Sequence, residues 1–180
     1  IDAVNQPDRP IPRGAVSPRE ALGVSIALFT IATVAALTLP RVAIGIAVGN
    51  LLALIAYTEL FKGRPVIGNA LVAYLTGSAF LFGGAAVGDP AGAGILFLLA
   101  AVATLTREIV KDVEDIAGDR EEGLRTLPIV AGRRPALWLG VAVILVAVVA
   151  SVVPYTGETF GLPYLLAVAP ADAVMLWAAG

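Results

Sequence analysis

Nearly uncharged apolar runs, each about as long as a bilayer is thick, recur along this chain and leave it very few folds. They occupy residues 18–39, 42–61, 66–87, 92–116, 135–153 and 160–180. A helix rises about 1.5 Å per residue, so about 20 residues cross the roughly 30 Å hydrocarbon layer. Every backbone polar group in that layer has to be satisfied internally, and continuous runs of this length do so as helices. Composition agrees: 14% of residues are charged, against about 25% in a soluble domain. The predicted fold is all-α, a multi-span transmembrane helical bundle with six spans. Pro18 suits a helix first turn. Pro40-Arg41 and Gly88-Asp89-Pro90 mark tight turns, Lys62-Gly63-Arg64-Pro65 breaks the second span from the third, and Pro163 and Pro170 predict a bent sixth span. Residues 1–17, with Pro7, Pro10 and Pro12, read as a polar loop, and residues 117–134 as a long charged one.

Charge sets the orientation. The segments at one face carry Arg9, Arg13, Arg19, Lys62, Arg64, Arg107, Lys111, Arg120, Arg125, Arg133 and Arg134, while the other face has Arg41 beside Asp89 and Glu158. The excess of positive charge places the first face in the cytoplasm. All the long polar segments share it, so the active face is expected there, in a multi-pass protein of the cell membrane. The chain opens at Ile1 on a polar segment and closes inside an apolar run, which reads as the middle of a longer protein.

On this face lies an acidic stripe, Arg107-Glu-Ile-Val-Lys-Asp-Val-Glu-Asp-Ile-Ala-Gly-Asp119. On a continuous helix Glu108, Asp112, Asp115 and Asp119 fall within about 60° of one another. Such a stripe repels itself unless a cation lies against it. One reading has Asp112, Asp115 and Asp119 ligating Mg²⁺, which holds a diphosphate. The other is a solvated helix end with salt bridges from Arg107, Lys111 and Arg120. The opening segment offers a second set: Asp2 and Asn5 as candidate metal ligands, Arg9 and Arg13 as phosphate contacts, or else a loop whose arginines only set topology. Lys62 and Arg64 either hold an anionic substrate or meet lipid headgroups. Asn69, Tyr74 and Thr76 either line a cavity or make interhelical hydrogen bonds. The pairs Gly45/Gly49 and Gly84/Gly88 predict close helix packing, and Trp138 an interfacial anchor.

Absences narrow the chemistry. The sequence has no histidine and no cysteine, which rules out Ser/His and Cys/His nucleophilic catalysis and zinc or haem held by those side chains. Any metal is bound by oxygen, which favours Mg²⁺. No G-x-x-x-x-G-K-[ST] loop is present, so nucleotide-driven work is a poor reading.

Two segments resemble the UbiA superfamily of intramembrane prenyltransferases. Asp2 followed by Asn5-Gln-Pro-Asp-Arg-Pro-Ile-Pro12 is similar to the tail of its first Asp-rich motif. Asp112-Val-Glu-Asp115-Ile-Ala-Gly-Asp119, followed by Thr126-Leu-Pro128, is similar to the second. The resemblance covers residues 1–180 as a single domain, the third to eighth of nine helices, truncated at both ends. Arg107 to Asp115, with Gly68-Asn69 and Leu75-Thr-Gly77, resembles the archaeal digeranylgeranylglyceryl phosphate synthase branch. The resemblance implies geranylgeranyl transfer from its diphosphate to the hydroxyl of geranylgeranylglyceryl phosphate, by Mg²⁺-assisted ionisation to an allylic cation. The implied partners are a prenyl diphosphate donor, a lipid-phosphate acceptor and the bilayer, with no nucleic acid. Asp2, Asp112, Asp115 and Asp119 are the implied metal ligands, Asp112, Asp115, Asp119 and Lys111 the catalytic set, and Asn5, Arg9, Arg13, Lys62, Arg64 and Arg107 the phosphate contacts. Rival readings are an aromatic prenyltransferase of the same fold and a transporter; against the latter, the acids sit at one membrane face rather than at mid-depth.

Overall fold

The computed structural model describes residues 7–179, with side chains as far as residue 177. The long helices form where the apolar runs predict them: α1 (Pro18–Ala36), α2 (Arg41–Ala56), α3 (Ile67–Ala86), α4 (Gly94–Glu114), α7 (Arg133–Ser151) and α9 (Leu162–Ala179). Between them lie the short helices α5 (Ile116–Glu121), α6 (Leu127–Ala131) and α8 (Val153–Thr156), and α2 runs on into a π-helical turn at Tyr57–Phe61. There is no strand among the described residues. The stretches Pro18–Ala36, Arg41–Phe61, Ile67–Ala86 and Arg133–Thr156 are each long and apolar enough to cross a membrane unaided. The other two predicted spans differ in character: α4 has the length but ends in charge, and α9 offers a shorter apolar stretch, Leu162–Trp177.

Local chemistry sets the ends. Ser17 Oγ accepts from the Glu20 N–H at 3.2 Å while the Glu20 carboxylate accepts from the Ser17 N–H at 2.8 Å, a reciprocal cap that starts α1 at Pro18. Pro163 falls in the first turn of α9, where a missing N–H costs little, and Pro170 lies inside that helix. The predicted long loop at 117–134 is instead mostly helical, as α5 and α6. Thr126 stands in extended conformation at the start of α6 with Pro128 just inside it, a combination that begins a new helix.

α4 is the centre of the bundle, packed against α3 on one side and α7 on the other. Small residues permit the α3–α4 approach. A Cβ on Gly77 would lie 2.6 Å from the Phe97 carbonyl oxygen, and one on Gly84 2.6 Å from Ala93 Cβ. Tyr74 meets the Phe97 ring edge-on, with centroids 6.1 Å apart. The packing expected of Gly84 is present, but Gly88, Gly45 and Gly49 meet no close neighbour among the described residues. Gly140 brings α7 onto buried Ile109 of α4. α9 is tied to α7 by polar groups: Ser151 Oγ donates to Asp172 Oδ2 at 2.7 Å, and the Tyr164 hydroxyl donates to the Ser151 carbonyl at 2.8 Å. Such bonds associate helices in lipid, where apolar contact alone does not discriminate protein from solvent. α1 buries none of its residues, and its leucines, isoleucines and valines are suited to hydrocarbon.

The α3–α4 contact yields a paired expectation. Gly77→Ala forces a methyl group into the α4 backbone and lowers stability in detergent by about 1–3 kcal/mol, read as a fall in the melting temperature. Gly49→Ala, facing open space, leaves the melting temperature unchanged or slightly higher. Equal effects at the two sites contradict this packing.

Candidate functional site

The acidic stripe is buried rather than solvated. Asp112, Asp115 and Asp119 retain 7%, 8% and 5% of their accessible surface, and Glu108 is buried with them. The helix does not run through unbroken. α4 ends at Glu114, Asp115 takes φ −87° and ψ 3°, and α5 begins at Ile116. The Asp119 N–H still donates to the Asp115 carbonyl at 3.0 Å, so the interruption hardly disturbs the register. The reading of a solvated helix end is corrected as to solvation, while the i,i+4 salt bridge it expected from Lys111 is present, to Asp115; Asp112 turns toward α3, where Asn69 Nδ2 donates to its Oδ2 at 2.8 Å. Burial pushes the Asp119 carboxyl above the ordinary carboxylate range, with the Asp115 charge adding to the rise, while the Thr126 hydroxyl beside it pulls the other way. That hydroxyl is buried yet completes no hydrogen bond of good geometry.

Cations occupy a different face of α4. Arg107 and Lys111, with Glu114, Thr106, Val110 and Ala103, line an open cavity of about 570 Å³ that is also bordered by Ile144 of α7, Met175 of α9 and Arg9. On helical geometry this face lies roughly 130° from the acidic one. Lys111 stands on the boundary: it lines the cavity, and its Nζ lies 3.3 Å from Asp115 Oδ2. Arg107 Nη1 donates to Glu108 Oε1 at 2.8 Å, with most of the arginine still exposed. Asp112, Asp115 and Asp119 do not line the cavity, so Lys111 is the link between the two sets.

The other predicted residues divide. Arg9 reaches the cavity. Arg13, Lys62 and Arg64 are exposed and lie off it, with the Arg64 guanidinium stacked 5.6 Å above the Phe61 ring. Asp2 and Asn5 lie outside the described residues. Asn69 is the site residue that sequence reasoning left undecided; its span position was visible, its partner on another helix was not. The loop at Lys62–Pro65 is clipped to the segment after α5, where the Arg125 N–H donates to the Gly63 carbonyl at 2.9 Å and Leu124 packs on Gly63, whose φ is +72°.

The donor set suits a hard cation. The acids are buried carboxylates, and buried charge is costly unless something offsets it. Among the described residues, no three acids converge closely enough to enclose an ion by themselves. A divalent ion here fits as one shared with ligand oxygens, the usual habit of Mg²⁺.

Comparison with known proteins gives the same direction. The model of the UbiA prenyltransferase family matches residues 1–180. The digeranylgeranylglyceryl phosphate synthase of Natronomonas pharaonis is 63% identical over 172 residues, covering 95% of this chain and 62% of that protein. The enzyme of the same name from Haloquadratum walsbyi is 59% identical over 178 residues, covering 98% of this chain and 62% of that protein. A solved structure reported for the biosynthesis of digeranylgeranylglyceryl phosphate synthase in membranes superposes with a TM-score of 0.72 at 39% identity, covering 99% of this chain and 63% of that one. The chain thus spans about three fifths of the length of these relatives.

The clip between the two loops is open to test. Gly63→Ala sets a methyl group against Leu124 in a backbone region that costs a non-glycine residue about 1–3 kcal/mol. The expected result is faster hydrogen exchange at the Arg125 amide and across residues 119–126, with the amides of α3 and α4 keeping their protection. Unchanged exchange at Arg125 would show that the clip does not hold the loops together.

Proposed function

The chain belongs to the UbiA prenyltransferase family, and from that premise we propose that it forms part of a single-domain enzyme that moves a geranylgeranyl group from its diphosphate to the hydroxyl of geranylgeranylglyceryl phosphate, making the second ether bond of archaeal membrane lipids. The observation that carries the reading is the buried set Asp112, Asp115 and Asp119, joined through Lys111 to a cation-lined cavity with apolar walls. One side of α4 is equipped for a cation, the other for an anionic head on an apolar body. The fold is that of a multi-pass membrane protein, and we place the acidic end at the cytoplasmic face, where the basic loops gather.

The reaction is a displacement at an allylic carbon. The C–O bond to the diphosphate breaks with the electron pair going to oxygen, the acceptor hydroxyl oxygen attacks the allylic cation, and its proton is lost. Asp112, Asp115 and Asp119, with Asp2 of the opening segment, are the residues that would hold the divalent ion such family members use, here assigned as Mg²⁺. When bound, that ion supplies charge stabilisation to the departing diphosphate. The chain's own side chains do the rest. Lys111 presents an ammonium between acids and cavity, and Arg9 and Arg107 offer guanidinium groups to phosphate oxygens. Val110, Ile144 and Met175 give that cavity apolar walls suited to a hydrocarbon chain. Arg13, Lys62, Arg64 and Asn5 remain candidate contacts at the mouth, where an acceptor carrying its own phosphate needs further positive charge.

Asp115→Asn in the full-length enzyme is expected to cut transfer at least 10²-fold, the scale for removing a group that stabilises developing charge, while the protein elutes and melts as before. Turnover within a few-fold of the parent would remove Asp115 from the site. Chelation should abolish transfer and added Mg²⁺ restore it; transfer persisting in chelator would refute the ion's role. Side-by-side assays with the phosphorylated glycerol ether and with hydroxybenzoate or naphthoate acceptors decide between lipid and aromatic prenyl transfer.

A further inference from the structure

Asn69 is in the first turn of α3, and its Nδ2 donates to Asp112 Oδ2 at 2.8 Å across the interface between α3 and α4. Both side chains are buried. The partners are 43 residues apart in the chain, so the bond depends on how α3 is aimed, and three local features aim it. Gly68 lets the start of α3 close on the end of the π-helical turn: a Cβ there would lie 2.9 Å from the Phe61 carbonyl oxygen. Val66, just before the helix, sits at φ +66°, a left-handed conformation that a β-branched residue avoids unless its surroundings impose it. The Arg125 N–H bond to the Gly63 carbonyl fixes the same loop from the other side. Together they set the rotation of α3 about its axis, and hence which residue of its first turn meets Asp112.

The chemistry of the pair points the same way. A buried carboxylate that serves only structure is ordinarily matched by a lysine or arginine, which neutralises it. Here the helix facing it supplies a neutral amide. The amide satisfies one carboxylate oxygen and fixes the plane of the group, and it adds no charge to compete with a cation.

We propose that Asn69 is a positioning residue for the divalent-ion site: by holding Oδ2 of Asp112 it orients the remaining carboxylate oxygen toward the ion. The inference rests on the assignment of Asp112 as an ion ligand, and the test separates the two. Mn²⁺ binding to the full-length protein in detergent, with inorganic diphosphate present to supply the shared ligand oxygens, is measured by electron paramagnetic resonance for the parent, Asn69→Leu, Asp112→Ala, the double variant and Asp115→Asn. Metal partners of this indirect kind typically contribute about 10–100-fold in affinity, so Asn69→Leu is expected to weaken Mn²⁺ binding by about that factor, alongside a lower metal-free melting temperature from the buried acceptor it leaves. In the Asp112→Ala background the same substitution should cause no further loss. If Asn69→Leu does not elute as a folded species, Asn69→Ala is read in its place.

An unchanged Mn²⁺ affinity in the Asn69 variant, with Asp112→Ala and Asp115→Asn still weakening it, overturns the positioning role and leaves the ion site standing. An equal loss with and without Asp112 also overturns it, since Asn69 then acts independently of that carboxylate. Mn²⁺ binding indifferent to Asp112 and Asp115 alike removes the ion site itself.

Discussion

Carboxylates buried at the end of a helix that packs among membrane spans are the constraint on which the rest of this structure depends. Charged groups there are expensive, and they persist where something offsets them. Asp112, Asp115 and Asp119 are each nearly inaccessible. Their compensation includes an amide on Asp112, an ammonium near Asp115, and a threonine hydroxyl beside Asp119. The bundle is built to permit that burial. Glycines at 77 and 84 draw α3 against α4, the closeness of the helices brings Asn69 within reach, and the interruption at Asp115 turns α5 without losing the register that keeps Asp119 inward.

α4 separates two electrostatic tasks on one rod. Acids face α3; Arg107 and Lys111 face a cavity shared with α7 and α9. Had the cations lain among the acids, the two sets would have neutralised each other, leaving little field for either a metal or a phosphate. Arg107 with Glu108 shows that tendency at the edge of the stripe. Lys111 and Arg107 each belong to both environments: both line the cavity, Lys111 beside Asp115 and Arg107 beside Glu108.

The spans were legible because lipid imposes a strong and local rule on the chain: length and apolarity of one segment suffice. The gathering of the polar segments at one end was legible for a related reason, since alternation of spans fixes which loops share a face. What escaped depends on two segments at once. The helical nature of 117–134 comes from the turn at Asp115 and a fresh start at Thr126, and charge density hides both. Asp172 is a single acid in an apolar run whose meaning appears only beside Ser151. Gly45 and Gly49 have the spacing of a packing motif, yet they meet no close neighbour among the described residues. The acids themselves were found, but an ideal-helix projection could not say whether they faced water or protein; the structure buries Asp112, Asp115 and Asp119.

The same logic explains why the loops at this end are held so firmly. A buried polar contact tolerates little displacement of its partners, and Asn69 and Asp112 come from segments 43 residues apart in the chain. Leu124 over Gly63 and the Arg125 bond join the loop before α3 to the segment after α5. The strained Val66 then fixes how the chain enters α3. Strain of this kind persists only where neighbours over-determine it, and Val66 leads directly into the helix turn that carries Asn69. The Arg125–Gly63 bond on one side of that turn and the Asn69–Asp112 bond on the other tie the start of α3 to the segment after α5 and to α4, so three segments distant in the chain are fixed relative to one another.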